Sequence, residues 1–207
     1  MRRILVILAG LASAATPSLA DSDVEHARYS VVASDGSIEI RDYAPQIVAE
    51  TTVAGERDEA IREGFRRLAG YIFGDNAPKQ KIAMTAPVVQ APRGEKIAMT
   101  APVDQTRAGD AWRVRFTMPA EYTMASLPQP TNADVRLAQL PGARMVAIRF
   151  SGLASEGDLA ENQRKLLDFV HARGLAPTDA PHYAFYDPPW TLPWNRRNEV
   201  MVEIGRK

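Results

Sequence analysis

The chain has 207 residues with 25 basic and 25 acidic side chains, no cysteine, and 45% hydrophobic residues. Balanced charge without blocks of one sign lacks the electrostatic footprint of a nucleic-acid binder. The missing cysteines rule out a disulfide framework or a cysteine-linked lipid anchor. The apolar fraction is sufficient for a packed core.

Residues 1–20, MRRILVILAGLASAATPSLA, start with Arg2 and Arg3, run apolar from Ile4 to about Ala15, and flank Leu19 with small Ser18 and Ala20. That layout predicts a cleaved export signal; a membrane anchor needs roughly 20 apolar residues. The mature protein is therefore expected to begin at Asp21, to form one domain over residues 21–207 and to be periplasmic or secreted. No later stretch is apolar and long enough for a membrane-spanning helix. Loss of Arg2 and Arg3 leaves 23 basic against 25 acidic side chains.

Ser37 to Tyr43 alternates in hydropathy and Gln46 to Val53 is apolar and β-branched, with Ala44-Pro45 as the turn between them. A helix is predicted over 56–73, where Ile61, Phe65, Leu68 and Ile72 share one face. Gly55 precedes it, and Gly74-Asp75-Asn76 ends it. The same grammar returns about a hundred residues later. Ile38 and Ile40 match Val135 and Leu137, Pro45 matches Pro141, Val48-Ala49 matches Val146-Ala147, and Gly55 matches Gly152. A second helix over about Glu156 to Ala172 sets Leu166, Phe169 and Val170 against Leu68, Tyr71 and Ile72. HYAFYDPP, 182–189, sits where KIAMTAPV follows the first helix, with Pro188 opposite Pro87. The strand Glu199 to Ile204 corresponds to Trp112 to Met118. Two halves, about 28–119 and 120–207, are expected to pack about a pseudo-twofold axis. The predicted fold is α+β: a distorted, barrel-like antiparallel sheet carrying two helices.

KIAMTAPV occurs twice, at Lys81–Val88 and Lys96–Val103. Ile, Met and Ala take one parity in each copy, and the seven residues between allow the copies to pair as a hairpin. The proline removes a ladder donor, so each copy should end at a sheet edge or bend there. The second copy either extends the sheet or, with Met84 and Met99, lines a pocket, since methionine sulfur packs well against flat aromatic ligands.

These strings carry a resemblance. AIREGF and YIFG on the first helix, then KIAMTAPV, RFTMP, RFSG, YDPPW and RRNEV, together resemble the SOUL haem-binding protein family from about Tyr29 to Ile204. The resemblance implies a distorted antiparallel barrel with two helices, and haem or related tetrapyrrole bound in an apolar groove beside the first helix. By the same resemblance Arg62 occupies the position thought to meet a haem propionate, with Phe65 and Ala69 following on the adjoining face and Phe73 continuing the Arg62–Ala69 stripe. The bland alternative for Arg62 is a surface pair with Asp58 or Glu59. Trp190 and Trp194, in DPPWTLPWNRRNE, form either a groove lip or a core plug, and Arg196 and Arg197 are placed to pair with Glu199.

Axial ligation has no clear candidate. His171 is explained as a cation near a helix C terminus, and neither His26 nor His182 lies in a haem-attachment motif. The family implies largely hydrophobic contacts, hence haem held without a strong protein ligand, with Met84 and Met99 as the alternative ligands. No catalytic motif is visible: there is no G-x-S-x-G, no H-E-x-x-H and no phosphate-binding glycine loop. A non-enzymatic binder is expected, with a general small hydrophobic-ligand binder or a protein-interaction module as alternatives. Mass spectrometry of periplasmic extract should find a chain starting at Asp21; intact Met1 species in the membrane fraction would overturn the export signal.

Overall fold

The computed structural model describes residues 24–77 and 94–205. The export signal, the first KIAMTAPV copy with Met84, the hairpin expected between the copies and the Pro87–Pro188 match fall outside the described residues. Nine strands form one antiparallel sheet: β1 (Tyr29–Asp35), β2 (Ile38–Tyr43), β3 (Gln46–Ala54), β4 (Val103–Ala108), β5 (Ala111–Thr117), β6 (Arg136–Leu140), β7 (Arg144–Phe150), β8 (His182–Phe185) and β9 (Asn198–Ile204). Helix α1 (Arg57–Phe73) follows β3, and α2 (Glu156–Ala172) follows β7.

The sheet is a curled half-barrel in the order β6-β3-β5-β4-β8-β9-β7-β2-β1. Leaving out β1, the order is unchanged when β2, β3, β4 and β5 are exchanged for β6, β7, β8 and β9. The pseudo-twofold axis therefore passes between β4 and β8, where His182 lies opposite Thr106 and Tyr183 opposite Gln105.

One expectation fails at Ala44-Pro45. The strands on either side do not form a hairpin: β2 pairs with β7, and β3 with β5 and β6. Pro45 has no N–H to continue a ladder, and the bonds from Tyr43 N to Ala143 O (2.8 Å) and from Ala44 N to Arg28 O (3.0 Å) hold the chain as it crosses. Each half thus lends its first strand, β2 or β6, to the other.

Both helices cover one face of the sheet. Helix α1 packs Leu68, Tyr71 and Ile72 against Ala49, Val114 and Phe116. Helix α2 packs Leu159, Leu166 and Val170 against Val146, Val200 and Val202. The α1 face differs from expectation: Ala60 and Gly64 are buried, while Phe65 is 40% exposed. The cause is Gly64, where an added Cβ would stand 2.6 Å from Cγ2 of Val114. The glycine lets the backbone settle on β5 and turns Phe65 to the rim, where its ring meets Phe116 edge-on at 5.3 Å. The facing also makes Ala49, and not Val48, the counterpart of Val146.

Of the second KIAMTAPV copy, Thr100–Ala101 forms a short ladder parallel to Glu25–His26, and its last residue, Val103, begins β4. The strand breaks at Pro102 as expected and resumes as β4. Ile97 and Ala101 are buried but Met99 is exposed, so the expected parity does not hold through the copy.

Alternate residues of each strand point to the opposite face of the sheet, which combines a buried cluster of Tyr43, Met145, Ala147, Ala184 and Met201 with buried charged groups. Arg41 on β2 and Glu199 on β9 are both almost wholly buried and make a bidentate pair at 2.6 and 2.9 Å. Burial opposes both charges, but the pair outweighs it: Arg41 is raised and Glu199 lowered from their ordinary pKa values. Arg197 and the Tyr186 hydroxyl also donate to Glu199, at 3.0 and 2.9 Å. On the β6 side Glu50 accepts from Arg115 and Arg136, each at 2.7 Å.

At the axis, His182 Nδ1 lies 3.0 Å from Asp104 and 2.8 Å from the Thr106 hydroxyl. Burial disfavours both charges, yet each group's partner prevails, leaving His182 raised and Asp104 lowered. A raised imidazole contributes stability below its free value of 6.5, lost as pH climbs through the folded value. A depressed carboxylate contributes above its free value of 3.8, lost as pH falls through its own. The pair is therefore complete between those two free values. His182→Gln should lower Tm most in that window and least at alkaline pH. A Tm difference that is the same at all pH values would show that His182 acts by packing alone.

Candidate functional site

A groove of about 610 Å³ opens on the helix face over the pseudo-twofold axis. Its floor is Gln105 of β4 and Phe185 of β8. One wall is the first half of α1, with Ile61, Arg62 and Phe65. The other is the entry to α2, with Leu153 and Ala154, and Pro189 closes one side. The apolar side chains come from four separate chain segments, and what unites them is the pairing of β4 with β8.

Local sequence explains the walls. Helix α1 is stopped by Gly74 at φ 124°, with Asp75 N bonded to Gly70 O at 2.9 Å and the Asn76 side chain bonded to Tyr71 O at 2.7 Å. Helix α2 starts at Ser155, whose hydroxyl accepts from Asp158 N while Asp158 accepts from Ser155 N, a reciprocal cap. Both helices begin at the groove.

Arg62 and Phe65 line the groove together. Among the described residues Arg62 has no ion-pair or hydrogen-bond partner; Asp58 lies 3.5 Å from Arg57, and Glu63 pairs with Arg66 and Arg67 at 2.7 Å. Ala69 and Phe73 continue the Arg62 stripe on the C-terminal half of α1, beyond the groove lining, with Ala69 half-buried and Phe73 exposed. Met99 is not among the lining residues. Trp190 is 81% exposed beside Pro189, and Trp194 is also exposed, so neither is a core plug. Their loop is held from behind: Arg196 donates to Thr191 O at 2.8 Å and to Pro189 O, and Gly152 N donates to Pro193 O at 2.9 Å. Of the two arginines expected at Glu199, only Arg197 reaches it.

Arg57 is the residue that the sequence reading missed. Its guanidinium bonds Gln105 Oε1 at 2.8 Å and Glu156 Oε1 at 3.1 Å. It also lies 5.6 to 5.9 Å from the ring centres of Trp112, Tyr183 and Phe185, within reach for cation–π attraction. Arg57 and Glu156 are the first residues of their helices, so the pair crosses the pseudo-axis. The match of Gly55 with Gly152 sets Arg57 against Ala154, so the repeat gave no signal for this pair.

Other cavities lie elsewhere, among them a shallow one of about 600 Å³ beside Arg28 and Glu121 and two smaller ones. One, of about 390 Å³, runs along α2 past Gln163 and His171; the other, of about 310 Å³, sits at the end of the half-barrel beside His26 and Met118. None of the three histidines lines the groove. Among the described residues no cluster of three or more His, Asp or Glu is placed to hold a metal ion, and no helix is long and apolar enough to cross a membrane.

The sequence model of the SOUL heme-binding protein family matches residues 24–203. The chain belongs to the SOUL family. This SOUL-family chain is 28% identical over 165 residues to Heme-binding protein 1 of Xenopus laevis, covering 79% of this chain and 82% of that one. It is 29% identical over 169 residues to Heme-binding protein 2 of Homo sapiens, covering 81% and 78%. Among solved structures, the C-terminal domain of EcmrR superposes with a TM-score of 0.59 at 9% identity, over 82% of this chain and 98% of that one. A hydrolase from Listeria innocua superposes at 0.52 with 14% identity, over 84% and 94%. At those identities the two structures share the SOUL chain's fold and nothing more is carried over.

Proposed function

We propose that the groove on the pseudo-axis binds haem or a related tetrapyrrole, without catalysis, and that the exported chain does so outside the cytoplasm. The observation that carries this reading is an arginine, Arg62, without a partner among the described residues, beside apolar Ile61, Phe65 and Phe185. A flat apolar ring with carboxylates on one rim suits that surface. The ring lies against Phe65 and extends along α1 toward Ala69 and Phe73, and a carboxylate takes a bidentate bond from Arg62. Membership of the SOUL family and the names of its relatives support haem as the ring.

Exposed Trp190, Trp194, Leu192 and Leu153 favour a second reading, in which the same face holds other hydrophobic ligands or a protein. Titration with haemin, iron-free porphyrin and unrelated dyes separates the readings; tetrapyrrole preference supports the first.

A hydrogen bond to a charged group is worth roughly 1.5 to 3 kcal/mol when shielded, so Arg62→Ala should weaken haemin by about ten- to hundredfold. It should leave haemin dimethyl ester, which has no free carboxylate, almost unchanged. Equal losses for both ligands would show that Arg62 acts through the fold, and unchanged haemin affinity would place the groove elsewhere.

The iron is expected to have no strong protein ligand. His182 is held by Asp104 and Thr106, His171 sits in the last turn of α2, and His26 lines another cavity. Haemin should bind at micromolar or tighter affinity in each of His26→Ala, His171→Ala and His182→Ala. Loss of the haem absorption band in any one of them, with the fold intact by circular dichroism, would overturn this.

A further inference from the structure

The groove contains a second guanidinium, already engaged. Arg57 is 15% exposed and fixed on three sides by Gln105, Trp112 and the Tyr183–Phe185 strand, whereas the nearer of its two carboxylate partners, Glu156 at 3.1 Å, is 73% exposed, and the other, Asp58 at 3.5 Å, is 79% exposed. Arg57 cannot leave without vacating an aromatic cage, but Glu156 can rotate into solvent. Glu156 is also dispensable to its own helix, because Ser155 and Asp158 cap α2 reciprocally. An exposed ion pair contributes little by itself, while a guanidinium held in a partly dry groove is a strong carboxylate binder.

Resting on the groove reading, we infer that the ligand takes Arg57 over from Glu156. Arg57 is a second carboxylate anchor five residues from Arg62 on α1, and Glu156 is a built-in competitor that sets the affinity. The site then recognises a dianionic rim, in which one carboxylate meets Arg62 and the other displaces Glu156. No bond is made or broken; one ion pair is exchanged for another.

The test uses the full chain titrated with haemin and with haemin dimethyl ester. Glu156→Gln removes the competitor and keeps the side-chain shape, so haemin should bind about two- to fivefold tighter, the range of an exposed ion pair. The ester should be unaffected. Arg57→Gln should weaken haemin and cancel the gain when combined with Glu156→Gln. A purely structural Arg57–Glu156 bridge predicts the opposite sign: Glu156→Gln would loosen the helix entry and weaken both ligands. That result, or unchanged haemin affinity in Glu156→Gln, overturns the exchange. Should Arg57→Gln fail to fold, Glu156→Gln alone still decides. Weakening by Arg62→Ala beside a neutral Glu156→Gln would sink only the exchange; haemin binding indifferent to Arg57, Arg62 and Glu156 together would sink the groove itself.

Discussion

The exchange of β2 and β6 between the halves is the constraint on which the rest of the structure depends. Strand β2 completes the edge beside β7, and β6 completes the edge beside β3. Without the exchange each half would end at an unpaired strand, whose open N–H and C=O groups are costly when buried and a pairing hazard when exposed. Neither half can therefore close by itself, and the β4–β8 seam forms only when both are in place. The contacts that matter most are distant in sequence, which makes the fold costly to nucleate and cooperative once formed.

Each lent strand is secured on the face away from the helices by an arginine that meets a carboxylate of the receiving half. Arg41 of β2 meets Glu199 of β9, and Arg136 of β6 meets Glu50 of β3. Neither pair need add net stability: buried Arg41–Glu199 loses hydration roughly as large as its attraction, and Arg136 is largely exposed, where an ion pair contributes little. They do penalise wrong registers: a one-residue slip of β2 would carry Arg41 to the helix face, among the apolar residues of α2's cluster, with no anion to meet it. Apolar burial on both faces supplies the driving force, and the ion pairs on the face away from the helices select the register.

Much of this was legible in the sequence because it is local. Both helices and most strands follow from periodicity and from glycine and proline punctuation, and the doubled β-β-α-β-β order follows from residue matches at a near-constant offset. What was not legible depends on partners that are far away. Ala44-Pro45 reads as a turn between neighbours because nothing local says that β2 belongs beside β7. Phe65 reads as core because periodicity cannot know that Gly64 lets α1 sink onto Val114 and rotates the buried stripe by one position. Arg62 and Phe65 were nameable from the helix motif, whereas Arg57 gains meaning only from Glu156 and three aromatic rings on other elements.

A symmetric scaffold would give a symmetric cleft, and a ligand in it could enter either way round. The two halves have diverged at the axis so as to prevent this. On the α1 side the rim carries Arg57 and Arg62 with Asp58; on the α2 side it carries Ser155 and Glu156 and no cation. Apolar area is shared between the walls, so it gives affinity without direction. In the proposed binding mode direction comes from the cations, because charge-assisted bonds are short, geometrically demanding and available along one wall only. The fold thus builds the cleft by repetition, and the few positions at which repetition fails give it a polarity.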